Sequence, residues 1–218
     1  MKLIVIAGMP ATGKSWLAGR LREHFGYPVI EKDRIKERMF DAIGFENYAG
    51  KRAEDVAANF ILLDMVRKFI EADQSLIIDN NFDQESAAEL AKLLEENPEI
   101  DVTTVFMTGD PEVLYQRYFA RDAAHKRHLG HCMQTHYPPH EGESTEFQMT
   151  REGFAERFLK RKNDVMSWRG KRIDVDATDF EKVDVERVIG EIEEENEILS
   201  RIFRSSKSAR SDYPCQRR

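Results

Sequence analysis

The chain has 218 residues, of which 41% are hydrophobic and 33% are charged, and its formal net charge is −7 at pH 7. This length suits one well-packed domain and is too short for two domains of average size. No run of about 18 apolar residues occurs, so the sequence predicts no membrane span. Its apolar and aromatic content excludes a wholly disordered chain.

The charge is unevenly distributed along the chain. Residues 201–218 contain six Lys or Arg and one Asp, so their net charge is +5 and that of the preceding residues is −12. An acidic body disfavours a large surface for long nucleic acids, because such surfaces consist of clustered Lys and Arg. We therefore expect one domain over residues 1–199 and a basic, flexible tail over residues 200–218.

The first residues and the cysteines bear on the cellular compartment. The apolar stretch Leu3–Ala7 follows a single Lys2 and is too short for a secretory signal, which favours a cytoplasmic protein. Cys132 and Cys215 cannot form a disulfide framework, and each is expected to be a reduced thiol.

Short apolar runs alternate with segments of helical period. The runs predict five strands, at Leu3–Ile6, Pro28–Ile30, Leu76–Ile78, Val102–Met107 and Lys171–Val175. The predicted helices are Lys14–Phe25, a helix from about Arg34, Lys51–Ala72, Gln84–Glu95, a helix from Pro111 capped by Asp110, and Val185–Phe203. This alternation predicts an α/β three-layer sandwich, in which helices cover both faces of a five-stranded, mostly parallel sheet.

A helical lid is predicted over about residues 115–150. Within it, Lys126–Thr150 has no clear period, which is typical of a lid or active-site loop. The predicted lid contains residue types that zinc prefers as ligands, namely His125, His128, His131, Cys132, His136 and His140. Their spacings match no paired zinc pattern, so the sequence favours solvent-exposed histidines, with contact of His128 or His131 to an anionic substrate as the alternative.

Residues 8–15 read Gly-Met-Pro-Ala-Thr-Gly-Lys-Ser and match G-x-x-x-x-G-K-[ST] between a predicted strand and a predicted helix. The glycines let successive N–H groups point inward, and the helix directs its positive end at the same point. Lys14 adds a charge on the outer phosphates, and the Ser15 hydroxyl can bind Mg²⁺. The predicted nucleotide-binding residues here are Gly8, Met9, Pro10, Ala11, Thr12, Gly13, Lys14, Ser15 and Trp16. The loop leaves the reaction open, although the Asn-Lys-x-Asp run of GTPases is missing.

Two carboxylates follow predicted strands, at the edge of an α/β sheet where ligands bind. Asp33, after the second strand, is predicted to align an attacking hydroxyl and accept its proton; the alternative is a helix N-cap. Asp79, after the third strand, is predicted to contact the metal or the substrate, with a loop start as the alternative. Asn81 would then face the acceptor.

Three arginines are candidates for phosphate contact. Arg117 and Arg121 are four residues apart on a predicted helix, and Arg127 follows near its end. Planar guanidinium groups neutralise charge that develops during phosphoryl transfer. The alternative is a set of surface salt bridges with Asp122 and Glu112.

Together these motifs resemble a family of small P-loop kinases, the predicted kinases of the AAA family ATPase type. They are close to polynucleotide 5′-hydroxyl kinases and more distant from zeta toxins and chloramphenicol phosphotransferases. The resemblance runs from residue 1 to about 190 and rests on Gly8–Ser15, Glu31–Glu37, Ile77–Phe82 and the three arginines. It also includes Ile173–Phe180, a loop that lies beside the adenine in these kinases, which implies that Thr178 contacts the nucleotide.

The resemblance implies ATP and Mg²⁺ as cofactors, with Lys14 on the phosphates and Ser15 and Asp79 at the metal. It implies Asp33 as the base and the lid arginines on the leaving phosphates. Two positions depart from the family. Lys36 stands where polynucleotide kinases have an Arg that grips a substrate phosphate, so it keeps the charge but loses the fork geometry. Trp16 replaces the Thr that usually follows the loop Ser.

The sequence therefore predicts an ATP-dependent kinase that phosphorylates a hydroxyl group. The acceptor is a small molecule, a nucleoside-like compound or the 5′-OH end of a short nucleic acid, and no membrane partner is expected. Two alternatives stay open. One is a nucleotide-binding regulatory protein or slow ATPase without an acceptor, and the other is a zeta-toxin-like kinase of a sugar nucleotide.

Overall fold

The structure, a computed structural model, describes residues 1–124, 127–143, 150–156, 166 and 168–194. It divides into two units, residues 1–183 and a segment that begins at Asp184. In the second unit residues 185–194 are helical. Some predictions lie outside the described residues: the tail at 200–218, the end of the last helix, lid residues 144–149, His125 and Cys215.

Five strands of the first unit form one sheet. They are β1 (Lys2–Gly8), β2 (Val29–Glu31), β3 (Leu76–Asp79), β4 (Asp101–Thr108) and β5 (Lys171–Asp176). Their order is β2-β3-β1-β4-β5, and every neighbouring pair is parallel. The predicted α/β fold is confirmed, and the sheet is parallel throughout because each described connection between strands contains a helix.

The helices of the first unit connect these strands. They are α1 (Lys14–Phe25), α2 (Lys32–Ile43), α3 (Tyr48–Glu71), α4 (Gln84–Glu96), α5 (Pro111–Ala123) and α6 (Leu129–Cys132). Residues 151–156 are also helical. Asp110 caps α5 as predicted, since its side chain accepts hydrogen bonds from the backbone N–H groups of Glu112 and Val113.

Two helix starts differ from the prediction. The second helix begins at Lys32 rather than near Arg34, directly after β2. The third begins at Tyr48 rather than Lys51, because Asn47 caps it by accepting a 2.9 Å hydrogen bond from the Gly50 N–H. Asn is a strong N-cap residue, so this signal was present in the sequence and was missed.

The main core lies between the sheet and two of the helices. Leu3 and Val5 of β1 and Ile78 of β3 pack with Leu62 of α3 and Leu90 of α4, and all five are fully or almost fully buried. Burial of each such side chain contributes about 1.5–3 kcal/mol. This core holds the carboxyl ends of β1, β2 and β3 side by side.

The segment predicted to lack a regular period contains the short helix α6 and is attached to α2 and α3. Gly130 lies so close to Phe40 that a Cβ atom would be 2.2 Å from the ring. The Lys51 ammonium donates hydrogen bonds to the carbonyl groups of His131 and Met133. Tyr137 and Phe45 exchange two backbone hydrogen bonds, of 2.9 and 2.7 Å. These contacts anchor α6 and the chain that follows it.

Within the described part of the chain, no helix has both the length and the apolar character that crossing a bilayer requires.

Candidate active site

A cleft of about 180 Å³ lies at the carboxyl ends of β1, β2 and β3. The loop between β1 and α1 forms one side of it, and residues that follow β2 and β3 form the other. The lid contributes two arginines. The lining consists of Pro10, Ala11, Gly13, Lys14, Ser15, Trp16, Glu31, Asp33, Asp79, Asn80, Asn81, Arg121 and Arg127.

The loop before α1 needs both of its motif glycines. Gly8 has φ 122°, and a Cβ there would lie 2.0 Å from the Met107 carbonyl oxygen. Gly13 has φ 87°, and a Cβ there would lie 2.3 Å from the ring of Phe180. No described side chain caps the N-terminus of α1, and residues 13–16 at this N-terminus line the cleft. A helix N-terminus in a cleft suits an anion.

Side chains within the loop close it on itself. The Thr12 hydroxyl donates a 2.8 Å hydrogen bond to the Met9 carbonyl oxygen, and the Lys14 ammonium donates one of 2.7 Å to the same oxygen. The backbone N–H of Met9 donates to the Met107 carbonyl, which ties the loop to β4. Gly8, Met9 and Thr12 shape the loop from outside the cleft lining.

Ser15 and Asp79 both line the cleft and contact each other. The Ser15 hydroxyl donates a 2.7 Å hydrogen bond to Oδ2 of Asp79. Burial raises the pKa of Asp79 to about 6; Lys14 and the Ser15 hydrogen bond oppose this rise, and the charges of Asp33 and Glu31 add to it. A hydroxyl and a carboxylate are the hard oxygen ligands that Mg²⁺ prefers, so this pair fits the predicted metal site.

Asp33 lies in the first turn of α2, exposed to solvent in the cleft. The N-cap position belongs to Glu31, which makes no side-chain cap, so the interpretation of Asp33 as a helix cap is wrong. The protein around the cleft removes part of the hydration of the Asp33 carboxylate, and this desolvation alone would raise its pKa. The charges of His131, Lys32, Arg127 and Lys36 outweigh that effect and hold the pKa below its ordinary value. Asp33 is therefore ionised at neutral pH.

Glu31 and Asn80 also line the cleft, and sequence reasoning missed both. Glu31 ends β2 in register with Asp79 on β3, and Asn80 directly follows β3. The Asn80 amide nitrogen donates a 3.1 Å hydrogen bond to Asn59. The amide oxygens of Asn80 and Asn81 are buried and have no hydrogen-bond partner among the described residues. The strand-end rule that selected Asp33 and Asp79 could have found these neighbours.

The lid supplies Arg121 and Arg127. Both guanidinium groups lie over the ring of Tyr118, at 5.4 and 5.3 Å from its centroid, and Arg127 donates a 2.6 Å hydrogen bond to the Tyr118 hydroxyl. The buried carboxylate of Asp122 lies 3.7 Å from each arginine. The alternative of surface salt bridges does not describe Asp122, because its side chain is only 7% exposed. It holds both arginines at the cleft.

Arg117 lies elsewhere. Its guanidinium donates hydrogen bonds to the carbonyl oxygens of Ala177, at 2.5 Å, and Thr178, at 2.7 Å, and it does not line the cleft. It holds the loop that follows β5. The Thr178 hydroxyl accepts a 2.7 Å hydrogen bond from the Asp110 N–H, which ties the same loop to the start of α5. The contact of Arg117 with phosphate stays a prediction, although Arg117 does not line the cleft.

The loop after β5 contacts the phosphate-binding loop through the aromatic rings of Phe180 and Trp16. Trp16 is 41% exposed, and its ring centroid lies 4.8 Å from that of Phe180. The Arg117 guanidinium lies 5.9 Å from the Phe180 centroid. Trp16 thus has a partly open aromatic surface beside the loop.

Lys36, predicted to contact the substrate, does not line the cleft. Its ammonium lies 2.7 Å from Oδ1 of Asp55 on α3. Burial lowers the pKa of Lys36, and Asp55 opposes that change.

Three of the described histidines of the predicted lid lie close to carboxylates. His128 lies 2.9 Å from Asp41, and His131 lies 3.4 Å from Glu37. His136 lies 2.7 Å from Glu143. In the described ranges no three His, Cys, Asp or Glu side chains are grouped to hold a metal ion.

Comparisons with known proteins agree with this fold. A candidate kinase from Chloroflexus aurantiacus is 25% identical, with a TM-score of 0.71, over 88% of this chain and 97% of that chain. A sugar kinase from Janibacter sp. HTCC2649 is 15% identical, with a TM-score of 0.53, over 88% and 91% of the two chains. The PezAT toxin–antitoxin structure from Streptococcus pneumoniae is 16% identical, with a TM-score of 0.44, over 57% and 53%. This last score is too low to bear on the zeta-toxin alternative.

No curated protein matches the sequence significantly. A family model described as "AAA domain" matches residues 3–139, which is more than half of the chain. The resemblance to small P-loop kinases is confirmed by this match and by the shared fold. The chain therefore belongs to the AAA domain family and has the fold of the P-loop kinases.

Proposed function

We propose that this protein is an ATP-dependent phosphotransferase that moves the γ-phosphate of ATP to a hydroxyl group. One observation carries the proposal: the phosphate-binding loop and the ionised carboxylate of Asp33 line the same cleft. A carboxylate in this position suits an acceptor, because binding of ATP alone does not need it. The candidate kinase that resembles this chain supports the same assignment.

The chemistry assigned to these groups is an in-line displacement. The acceptor oxygen forms a bond to the γ-phosphorus, the bond from that phosphorus to the bridging oxygen breaks, and ADP leaves. Asp33 aligns the hydroxyl and accepts its proton late, because the transition state is loose and positioning matters more than base strength.

Other residues of the cleft bind and neutralise the negative charge of the phosphates. Lys14 and the N-terminal N–H groups of α1 bind the phosphates. Arg121 and Arg127 neutralise charge that develops on the leaving phosphates. Mg²⁺, held by Ser15 and Asp79, supplies further neutralisation when it is bound.

The test replaces Asp33 with Asn. The protein is incubated with γ-labelled ATP and a panel of acceptors: sugars, nucleosides, sugar nucleotides, aminoglycosides and 5′-hydroxyl oligonucleotides. Asp33→Asn should lower phosphate transfer by about 10³-fold, within the range for loss of a general base, and leave ATP affinity within about threefold.

The matched control is Asp64→Asn, which changes an exposed Asp of α3 that pairs only with Arg67 among the described residues. It should leave transfer unchanged. If Asp33→Asn leaves transfer unchanged, Asp33 is not the base. If the wild type transfers phosphate to no acceptor and Asp33→Asn leaves ATP turnover unchanged, the alternative of a nucleotide-binding protein or ATPase without an acceptor is favoured.

A further inference from the structure

The cations beside Asp33 are already paired. Asp33 is flanked on α2 by Lys32 and by Lys36, one turn further on. The two ammonium groups lie 2.8 and 2.7 Å from the same atom, Oδ1 of Asp55. Their side chains are only 8% and 11% exposed, and neither lines the cleft. These lysines therefore serve the contact between α2 and α3.

Asp55 is itself held in place. Its second oxygen, Oδ2, accepts a 2.9 Å hydrogen bond from Arg52, which also donates one of 3.0 Å to Asp83 at the start of α4. Burial would raise the pKa of Asp55, but Lys32 and Lys36 hold it far below the ordinary value. The carboxylate is thus ionised throughout the neutral range and keeps both lysines.

The described cations that do line the cleft are Lys14, Arg121 and Arg127. The proposed function assigns all three to the phosphates of ATP. No described cation of the lining is then left for a phosphate group on the acceptor.

The acceptor side instead presents hydrogen-bond acceptors. Glu31 and Asp33 contribute carboxylates, and Asn80 and Asn81 contribute amide oxygens that are buried without a partner among the described residues. Such oxygens need donors, which hydroxyl groups supply. A phosphate dianion has no donor to offer and is repelled by carboxylates.

We infer that the acceptor is a polyhydroxylated compound without a phosphate group, because Asp55 withdraws Lys32 and Lys36 from the site and the remaining groups seek hydroxyl donors. This inference rests on the proposed phosphotransferase function. It narrows the acceptor class and sets aside nucleic-acid ends, which carry phosphate next to the reacting sugar.

The experiment compares compounds that differ only by a phosphate. Glucose is paired with glucose 6-phosphate, ribose with ribose 5-phosphate, and adenosine with adenosine 3′-phosphate. Binding to the full chain is measured by calorimetry with Mg²⁺ and a non-hydrolysable ATP analogue present. We expect the phosphate-free member of at least one pair to bind at least tenfold more tightly than its partner. Tighter binding of the phosphate-bearing members, or no binding of any phosphate-free member, overturns the inference.

A variant tests the part played by Asp55. Asp55→Asn removes the charge that holds the two lysines, so the preference for the phosphate-free member should fall at least fivefold. Asp64→Asn on the same helix is the control and should keep the wild-type preference. An unchanged preference in folded Asp55→Asn contradicts the role of Asp55. If this variant does not fold, the wild-type pairs still decide the acceptor class.

Transfer from γ-labelled ATP separates the two proposals. Selective binding of a phosphate-free member without any transfer refutes the kinase and leaves the ligand class standing. Faster transfer to the phosphate-bearing members supports the kinase and overturns the acceptor class.

Discussion

The Ser15 hydroxyl donates a 2.7 Å hydrogen bond to Oδ2 of Asp79, 64 residues further along the chain. This contact joins the start of α1 to the end of β3 and places the two predicted metal ligands side by side. The same position buries Asp79, which raises its pKa to about 6.

The first prediction concerns pH. Asp79 binds a cation only when ionised, so Mg²⁺-dependent binding of ATP should weaken as the pH falls through about 6. Calorimetric titrations between pH 5 and pH 8 should show a loss of about tenfold one pH unit below that value. Asp79→Asn should bind weakly at every pH. Constant wild-type affinity across this range contradicts the role of Asp79.

The second prediction concerns stability. Between the ordinary value of 3.8 and about 6, the folded chain binds more protons at Asp79 than the unfolded chain does. The contribution of Asp79 to stability therefore falls as the pH rises through this window and levels off above it. The pKa rises from 3.8 to about 6, and one pKa unit corresponds to about 1.4 kcal/mol, so Asp79→Asn should raise the free energy of unfolding at pH 7 by about 3 kcal/mol.

Urea denaturation of wild type and Asp79→Asn at pH 4 and pH 7 measures this difference. The gain should be present at pH 7 and nearly absent at pH 4. A loss of stability at pH 7 would mean that the hydrogen bond from Ser15 outweighs the cost of burying the charge.

The third prediction concerns Lys14. Its ammonium is buried in the phosphate-binding loop, where it donates to the Met9 carbonyl. Lys14→Ala should weaken ATP binding about 100-fold, because a charge that contacts phosphate in a partly desolvated site is lost. Trp16 lies in the same cleft, so the quenching of its fluorescence by added ATP measures binding. The exposed Lys92 supplies the control, and Lys92→Ala should bind ATP as wild type does.

The fourth prediction contrasts two arginines of α5. Arg121 lines the cleft, so Arg121→Ala should lower kcat by about 10²-fold or more. Arg117 holds the carbonyl groups of Ala177 and Thr178, so Arg117→Ala should raise KM for ATP about tenfold and leave kcat nearly unchanged. Steady-state kinetics of both variants measure the contrast. Equal losses of kcat would place Arg117 on the phosphates after all.

Local features of the sequence predicted much of the site. The strand, loop and helix around Gly8–Ser15 follow one another directly in the chain, so pattern and spacing suffice to predict them. Asp33 and Asp79 followed from a second local rule, that ligands lie where parallel strands end. The same kinds of local signal identify three residues that the prediction lacked. Asn47 is a strong N-cap residue, and Glu31 and Asn80 lie at strand ends.

The sequence by itself determined the order of strands and helices, the phosphate-binding loop and the carboxylates at the strand ends. Only the tertiary structure decided which acceptors the long Lys and Arg side chains bind. Lys36 pairs with Asp55, 19 residues away, and Arg117 with carbonyl groups 60 and 61 residues away. A flexible charged side chain binds an acceptor that the packing of helices brings within about 3 Å. Local sequence patterns cannot predict that acceptor, because it lies far away in the chain.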